Sequence, residues 1–193
     1  LNNKLKKRDL EAVDVPADGN CQFSALLDQL DQLDKLVQQN LLKNHGIVNA
    51  DQLRTNIVEW MKENKDNSFL KDWAAEDDVP KQTFEDYMIK METDEGDEYT
   101  IRAAAELFNV EIEIYDNTEG VEKWLPTYGS KEGERPKLTL ARFKLENGWH
   151  YVSTTKLKTE SEPSSTLSTS PSIEASNRTP NPLRIDETEL TIE

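Results

Sequence analysis

The 193-residue sequence holds a single cysteine, Cys21, and only two histidines, His45 and His150. One cysteine rules out an internal disulfide, and with two histidines beside it no ligand set for a structural zinc remains, so no metal is expected. That usage suits a reducing, intracellular setting, with cytoplasmic as the simplest reading. Long apolar runs are also missing. None approaches the roughly 20 residues of a membrane span, and the basic, polar opening from Leu1 to Leu10 has no apolar leader core. Positive charge is in the minority, 23 Lys and Arg against 38 Asp and Glu, for a net charge of −15. Such a chain repels a phosphate backbone and an anionic membrane surface, which disfavours both as partners and favours basic ones. Its start at Leu1 reads as a piece of a longer protein.

Aromatic residues are absent beyond Lys156, where Ser161, Pro163, Ser164, Ser165, Pro171, Pro180 and Pro182 stand among Thr and Glu. That composition cannot bury enough apolar surface to offset its ordering entropy. The expected organisation is therefore one domain over 1–155 and a disordered Ser/Thr/Pro-rich tail over 156–193, with a chance glycosylation sequon at Asn177. The domain is expected to be monomeric.

Within 1–155 the periodicity is mixed. Val13 and Val15 suggest a short strand broken by Pro16 and the Asp18-Gly19-Asn20 turn. Phe23, Leu26, Leu27 and Leu30 then recur at helical spacing from about Cys21. A second helix follows Asp51, taken as its cap, through Leu53, Ile57 and Trp60 or Met61. Two more run through Phe84–Met91 and Ile101–Phe108. The period changes to two at Val110, Ile112 and Ile114, again near Leu138 and Leu140, and again from Trp149 to Val152. Asn147-Gly148 is a hairpin signal between the last two. Strands, helices and strands in that order predict an α+β domain with an antiparallel sheet flanked by helices.

Two residues carry nucleophile chemistry. Cys21 falls at a helix start, where free N–H groups and the helix dipole favour a thiolate, so a depressed thiol pKa is expected. The backbone N–H groups of Gly19, Asn20 and Cys21 are placed to hold an oxyanion. On position alone, a small buried cysteine is the more usual reading of Cys21. His45 sits in a polar stretch, whereas His150 begins a strand, sharing a face with Val152 while Trp149 and Tyr151 take the other. A strand histidine held against a helix N-terminus pairs Cys with His in the papain manner.

Asp18-Gly19-Asn20-Cys21-Gln22-Phe23, the distant His150-Tyr151, the Phe84-Glu85-Asp86-Tyr87 helix and Ala103–Phe108 leading into Ile112–Tyr115 together resemble the ovarian-tumour (OTU) family of cysteine proteases, from about Leu10 to Ser153. The resemblance implies a papain-like OTU fold and a thiol protease without cofactor. Its substrates would be ubiquitin, polyubiquitin chains or ubiquitinated proteins, cut after the terminal Gly-Gly through a thioester on Cys21. By the same analogy His150 is the base and Asp18 a catalytic or loop-bracing residue. Trp149 either roofs a channel for Gly-Gly or packs on the sheet. Carboxylates near the cleft, from Glu92, Asp94, Glu95, Asp97 and Glu98, would steer ubiquitin's basic tail. Many members place Asn or Asp two residues after the histidine. Here that residue is Val152, so the orienting group must come from elsewhere. A catalytically weak ubiquitin-binding module, or a protease for another ubiquitin-like modifier or a polyprotein, are the alternatives.

Overall fold

The computed structural model describes residues 2–75, 83–118, 121–129, 133–146 and 148–157. The expected tail from residue 158 onward, and Asn147 of the hairpin signal, lie outside them.

A five-stranded sheet has the order β1-β5-β4-β2-β3, formed by β1 (Leu10–Val13), β2 (Glu111–Thr118), β3 (Val121–Trp124), β4 (Lys137–Leu145) and β5 (Gly148–Lys156). Three pairings are antiparallel, but β2 and β4 run parallel, with Ile112 opposite Leu138 and Ile114 opposite Leu140. The α+β class holds and the sheet is mixed. Alternation reports which face a residue takes and is silent on strand direction. Direction here follows from β3, which turns back along the outer edge of β2, so that the chain enters β4 in the β2 sense.

Seven α-helices are described: α1 (Asn2–Leu5), α2 (Cys21–Asp31), α3 (Lys35–Gln38), α4 (Ala50–Glu63), α5 (Ser68–Ala75), α6 (Phe84–Met91) and α7 (Glu98–Leu107). In α2 the spacing predicted from sequence is realised, with Phe23, Leu26 and Leu30 buried. The cap of α4 is Asn49, whose side chain accepts the Gln52 N–H at 2.9 Å; Asp51 lies in the first turn. Thr83 with Asp86 and Asp97 with Thr100 form reciprocal capping pairs that start α6 and α7.

The main core lies between the helices and one sheet face, with Phe23, Ile57, Met61, Phe108, Ile112 and Leu140 at its centre. Trp149 packs against it and Tyr151 lies within it. The opposite face carries a smaller cluster of Leu5, Tyr115, Ala141 and Val152. Leu5, in a stretch that looks basic and polar in sequence, is fully buried there, and burying a leucine contributes about 2 kcal/mol. The Arg8 guanidinium lies 3.9 Å above the Trp124 ring beside it.

A polar seam locks α2 onto β5. Gln29 donates to Ser153 Oγ at 2.8 Å, its own oxygen accepts the Thr139 N–H at 2.7 Å, and Ser153 donates to Asp28 at 2.5 Å. Each buried polar atom of the seam finds a partner, so the two elements are held at one register. Cys21 begins the first of these elements and His150 lies near the start of the second.

Candidate active site

The turn ahead of α2 is built before its nucleophile. Gly19 has φ of 82°, a conformation other residues adopt only under strain. Asp18 accepts the Asn20 N–H at 3.0 Å, closing a turn typical of Asp two residues ahead of its donor. From α4 the Arg54 guanidinium reaches under the turn. It donates to Gly19 O at 2.8 Å, Asn20 Oδ1 at 2.9 Å and Met91 O at 2.9 Å, and also to Asp94 O. It stacks 4.3 Å from the Phe23 ring. Burial lowers its pKa, and the charges of Asp51, Asp94 and Asp18 oppose that shift. Asn20 is further tied to Asp51 at 2.7 Å. One planar fork thus fixes both the turn and the loop ahead of α7, which Lys could not do.

Of the three N–H groups expected at an oxyanion site, that of Asn20 is engaged by Asp18. Those of Gly19 and Cys21 have no acceptor among the described residues. Asn20 therefore serves as a side-chain brace. Gln22 anchors the next turn, donating to Asp97 O at 3.0 Å and accepting from Thr100 Oγ1 at 2.6 Å. A Cβ on Gly96 would collide with it, which explains a glycine there.

A cavity of about 400 Å³ opens at this turn, lined by Gly19, Cys21, Glu95, Glu146, Gly148, Trp149 and His150. A larger one, about 480 Å³, beside Phe69, Arg102 and Tyr128, is lined by neither cysteine nor histidine. The structure therefore brings Cys21, His150 and Trp149 to one cavity. His45 takes no part and meets Phe108 edge-on at 5.7 Å. Trp149 both packs on the main core and lines the cavity, with the Arg142 guanidinium 4.3 Å from its ring centroid.

Two expectations need correction. The Cys21 thiol donates to the Trp149 carbonyl at 3.6 Å, and no hydrogen bond joins it to His150 among the described residues. Burial pushes the thiol up from its ordinary value, not down. The Glu95 and Asp18 charges add to that rise, while N–H groups of Tyr151 and Gln22 oppose it. The helix terminus is there, but desolvation outweighs it. Second, the carboxylate on His150 is Asp14, with Oδ1 3.0 Å from Nε2, and not Asp18, which is exposed and closes the turn. The Phe143 ring meets the imidazole edge-on at 5.2 Å.

The acidic candidates also separate. Glu92 pairs with Lys62, Asp94 with Lys90 and Glu98 with Arg102, while Asp97 caps α7. Only Glu95 enters the cleft, where its carboxylate accepts the Trp149 N–H at 3.4 Å.

Residues 16–151 match the family described as OTU-like cysteine protease, which covers Cys21 and His150. This chain belongs to that family. The OTU domain is 34% identical over 116 residues to an Arabidopsis thaliana protein, OVARIAN TUMOR DOMAIN-containing deubiquitinating enzyme 10, covering 59% of this chain and 27% of that one. It thus spans about a quarter of the curated relative it matches. Among solved structures it resembles the OTU domain of OTUD1, with 17% identity, 80% and 91% coverage and a TM-score of 0.56. It also resembles the Hazara virus OTU bound to ubiquitin, with 13% identity, 79% and 85% coverage and a TM-score of 0.53. At these identities the structural likeness speaks for the fold. Arg54 and Asp14 escape a sequence reading because each acts from a distant element. Asp14 even lies ahead of the matched segment.

Proposed function

We propose that this OTU domain is a deubiquitinating cysteine protease that hydrolyses the isopeptide or peptide bond after the C-terminal Gly-Gly of ubiquitin, acting as a monomer inside the cell. The observation that carries the reading is a lone cysteine at a helix start sharing one cavity with an imidazole already hydrogen-bonded to a carboxylate. The Cys21 sulfur leaves the Trp149 carbonyl, loses its proton to Nδ1 of His150 and attacks the carbonyl carbon of the terminal glycine. The Gly19 and Cys21 N–H groups stabilise the oxyanion. Collapse breaks the C–N bond, and His150 returns the proton to the leaving lysine amine. Water, deprotonated by the same imidazole, then cleaves the thioester and frees the ubiquitin carboxylate and the Cys21 thiol. Glu95 supports the choice of substrate, because its carboxylate in the cleft complements the basic tail of ubiquitin.

The resting bond between Cys21 and Trp149 favours a second reading, a ubiquitin-binding module with little turnover. A ubiquitin carrying a C-terminal electrophile separates the two. Adduct formation on Cys21, lost in Cys21→Ala, is expected; binding without any adduct would instead establish the module. Digestion of diubiquitins of each linkage then defines the substrate, and failure to cut any of them would defeat the protease reading.

A further inference from the structure

Val152 stands two residues after His150, but its side chain is 2% exposed among Leu5, Tyr115 and Ala141 and has no atom that can hydrogen-bond. The imidazole is held from the next strand instead. β1 runs antiparallel to β5 with Val13 opposite Ser153, so one further step in that register sets Asp14 opposite Val152. Side chains diagonal to each other across an antiparallel pair are within reach of one another. The Asp14 carboxylate closes that diagonal, with Oδ1 3.0 Å from His150 Nε2.

We propose that Asp14 is the residue that positions His150, supplying from β1's end what Val152 cannot supply from His150's own strand; the role in turnover rests on the protease reading above.

The chemistry follows from which nitrogen is engaged. A carboxylate only accepts, so Nε2 carries the hydrogen and Nδ1 keeps the lone pair that a base for Cys21 needs. When Nδ1 takes the thiol proton, the imidazolium forms beside an anion already in place. The hydrogen bond from His150 is the main cause holding the Asp14 carboxyl below its usual range, so it is ionised at neutral pH. Asp14 is itself oriented, since Oδ1 also accepts the Val15 N–H at 3.0 Å. Phe143 also packs against the ring, edge-on at 5.2 Å, so the imidazole contacts both an aromatic ring and a carboxylate. Asp18 has no such access, being committed to the Asn20 N–H.

The Asp14 side chain is 85% exposed, so its removal leaves the core intact and leaves room for a small anion. In Asp14→Ala, kcat on a ubiquitin–fluorophore substrate should fall on the order of tenfold or more, with KM and melting temperature nearly unchanged. Asp14→Asn keeps an acceptor and should recover part of the loss. Sodium formate should restore turnover to Asp14→Ala but not to His150→Ala. With only two histidines, ring ¹⁵N shifts of His150 are readily assigned. They should report the Nε2–H tautomer in the wild type and a mixture in Asp14→Ala. Unchanged kcat and unchanged ring shifts in Asp14→Ala overturn the proposal, as does a loss of turnover that neither formate nor the tautomer reflects. A wild type with Nε2–H held by Asp14 that cuts no ubiquitin substrate would defeat the deubiquitinase reading and leave the positioning role standing.

Discussion

The Cys21 thiol donates its hydrogen bond to the carbonyl oxygen of Trp149, 3.6 Å away, while His150, which lines the same cavity, is engaged at Nε2 by Asp14. The site therefore holds a thiol bonded to a carbonyl beside an imidazole bonded to a carboxylate, and not a preformed thiolate–imidazolium pair. Under the proposed protease mechanism, the sulfur has to turn from Trp149 to Nδ1 to become reactive.

The thiol's acidity tests this arrangement. Burial holds Cys21 above its ordinary value, and the Glu95 charge adds to it. Iodoacetamide alkylation of the free domain should accelerate only above the unperturbed thiol value of about 8.5. Glu95→Gln removes a negative charge and should move that midpoint down, while raising KM for ubiquitin substrates. Rapid, pH-independent alkylation near neutrality would contradict the resting geometry. The same shift has a sign for stability. The folded thiol keeps a proton that the unfolded one loses, so its contribution is present below about pH 8.5 and is lost as pH rises through the folded value.

Asp18 braces the turn through a single accepted hydrogen bond. Asp18→Asn retains that acceptor and should keep most of kcat, whereas Asp18→Ala should lower both turnover and melting temperature. Equal, full activity in both variants would remove Asp18 from the machinery.

Arg54 joins four acceptors on the turn and on the loop before α7. Arg54→Lys keeps the charge but not the fork. At about 1 kcal/mol per lost hydrogen bond, the variant should be less stable by about 2–3 kcal/mol in urea unfolding. Turnover should fall as well, because the Gly19 carbonyl is no longer tied back. An unchanged urea midpoint would show that the fork is dispensable.

Val152→Asn introduces the side chain many OTU proteases carry at this position, but into the apolar cluster around Leu5 and Tyr115. An amide without partners there should cost about 1–3 kcal/mol, read as a lower melting temperature, with no gain in kcat. Higher turnover would mean that Asp14 does not occupy the imidazole during catalysis.

Local signals in the sequence were enough for most elements around Cys21 and His150, while the pairing of the two came from the family resemblance. A turn of Asp18, Gly19 and Asn20 followed by apolar residues at helical spacing can only start a helix at Cys21. Strict alternation from Trp149 likewise assigns His150 and Tyr151 to opposite faces. These are short-range properties of backbone and side chain, and they survive without knowledge of partners. Strand direction between β2 and β4, the Asn49 cap and the burial of Leu5 depend on what lies beyond each segment. The site divides in the same way. That Val152 could not orient His150 was evident from its side chain, but that Asp14 does so depends on β1 lying antiparallel to β5 in one register. Arg54 was indistinguishable from a surface arginine until α4 placed it under the turn. The thiol's pKa turned on desolvation, a quantity set by the packed surroundings of Cys21 and not by its position in the chain.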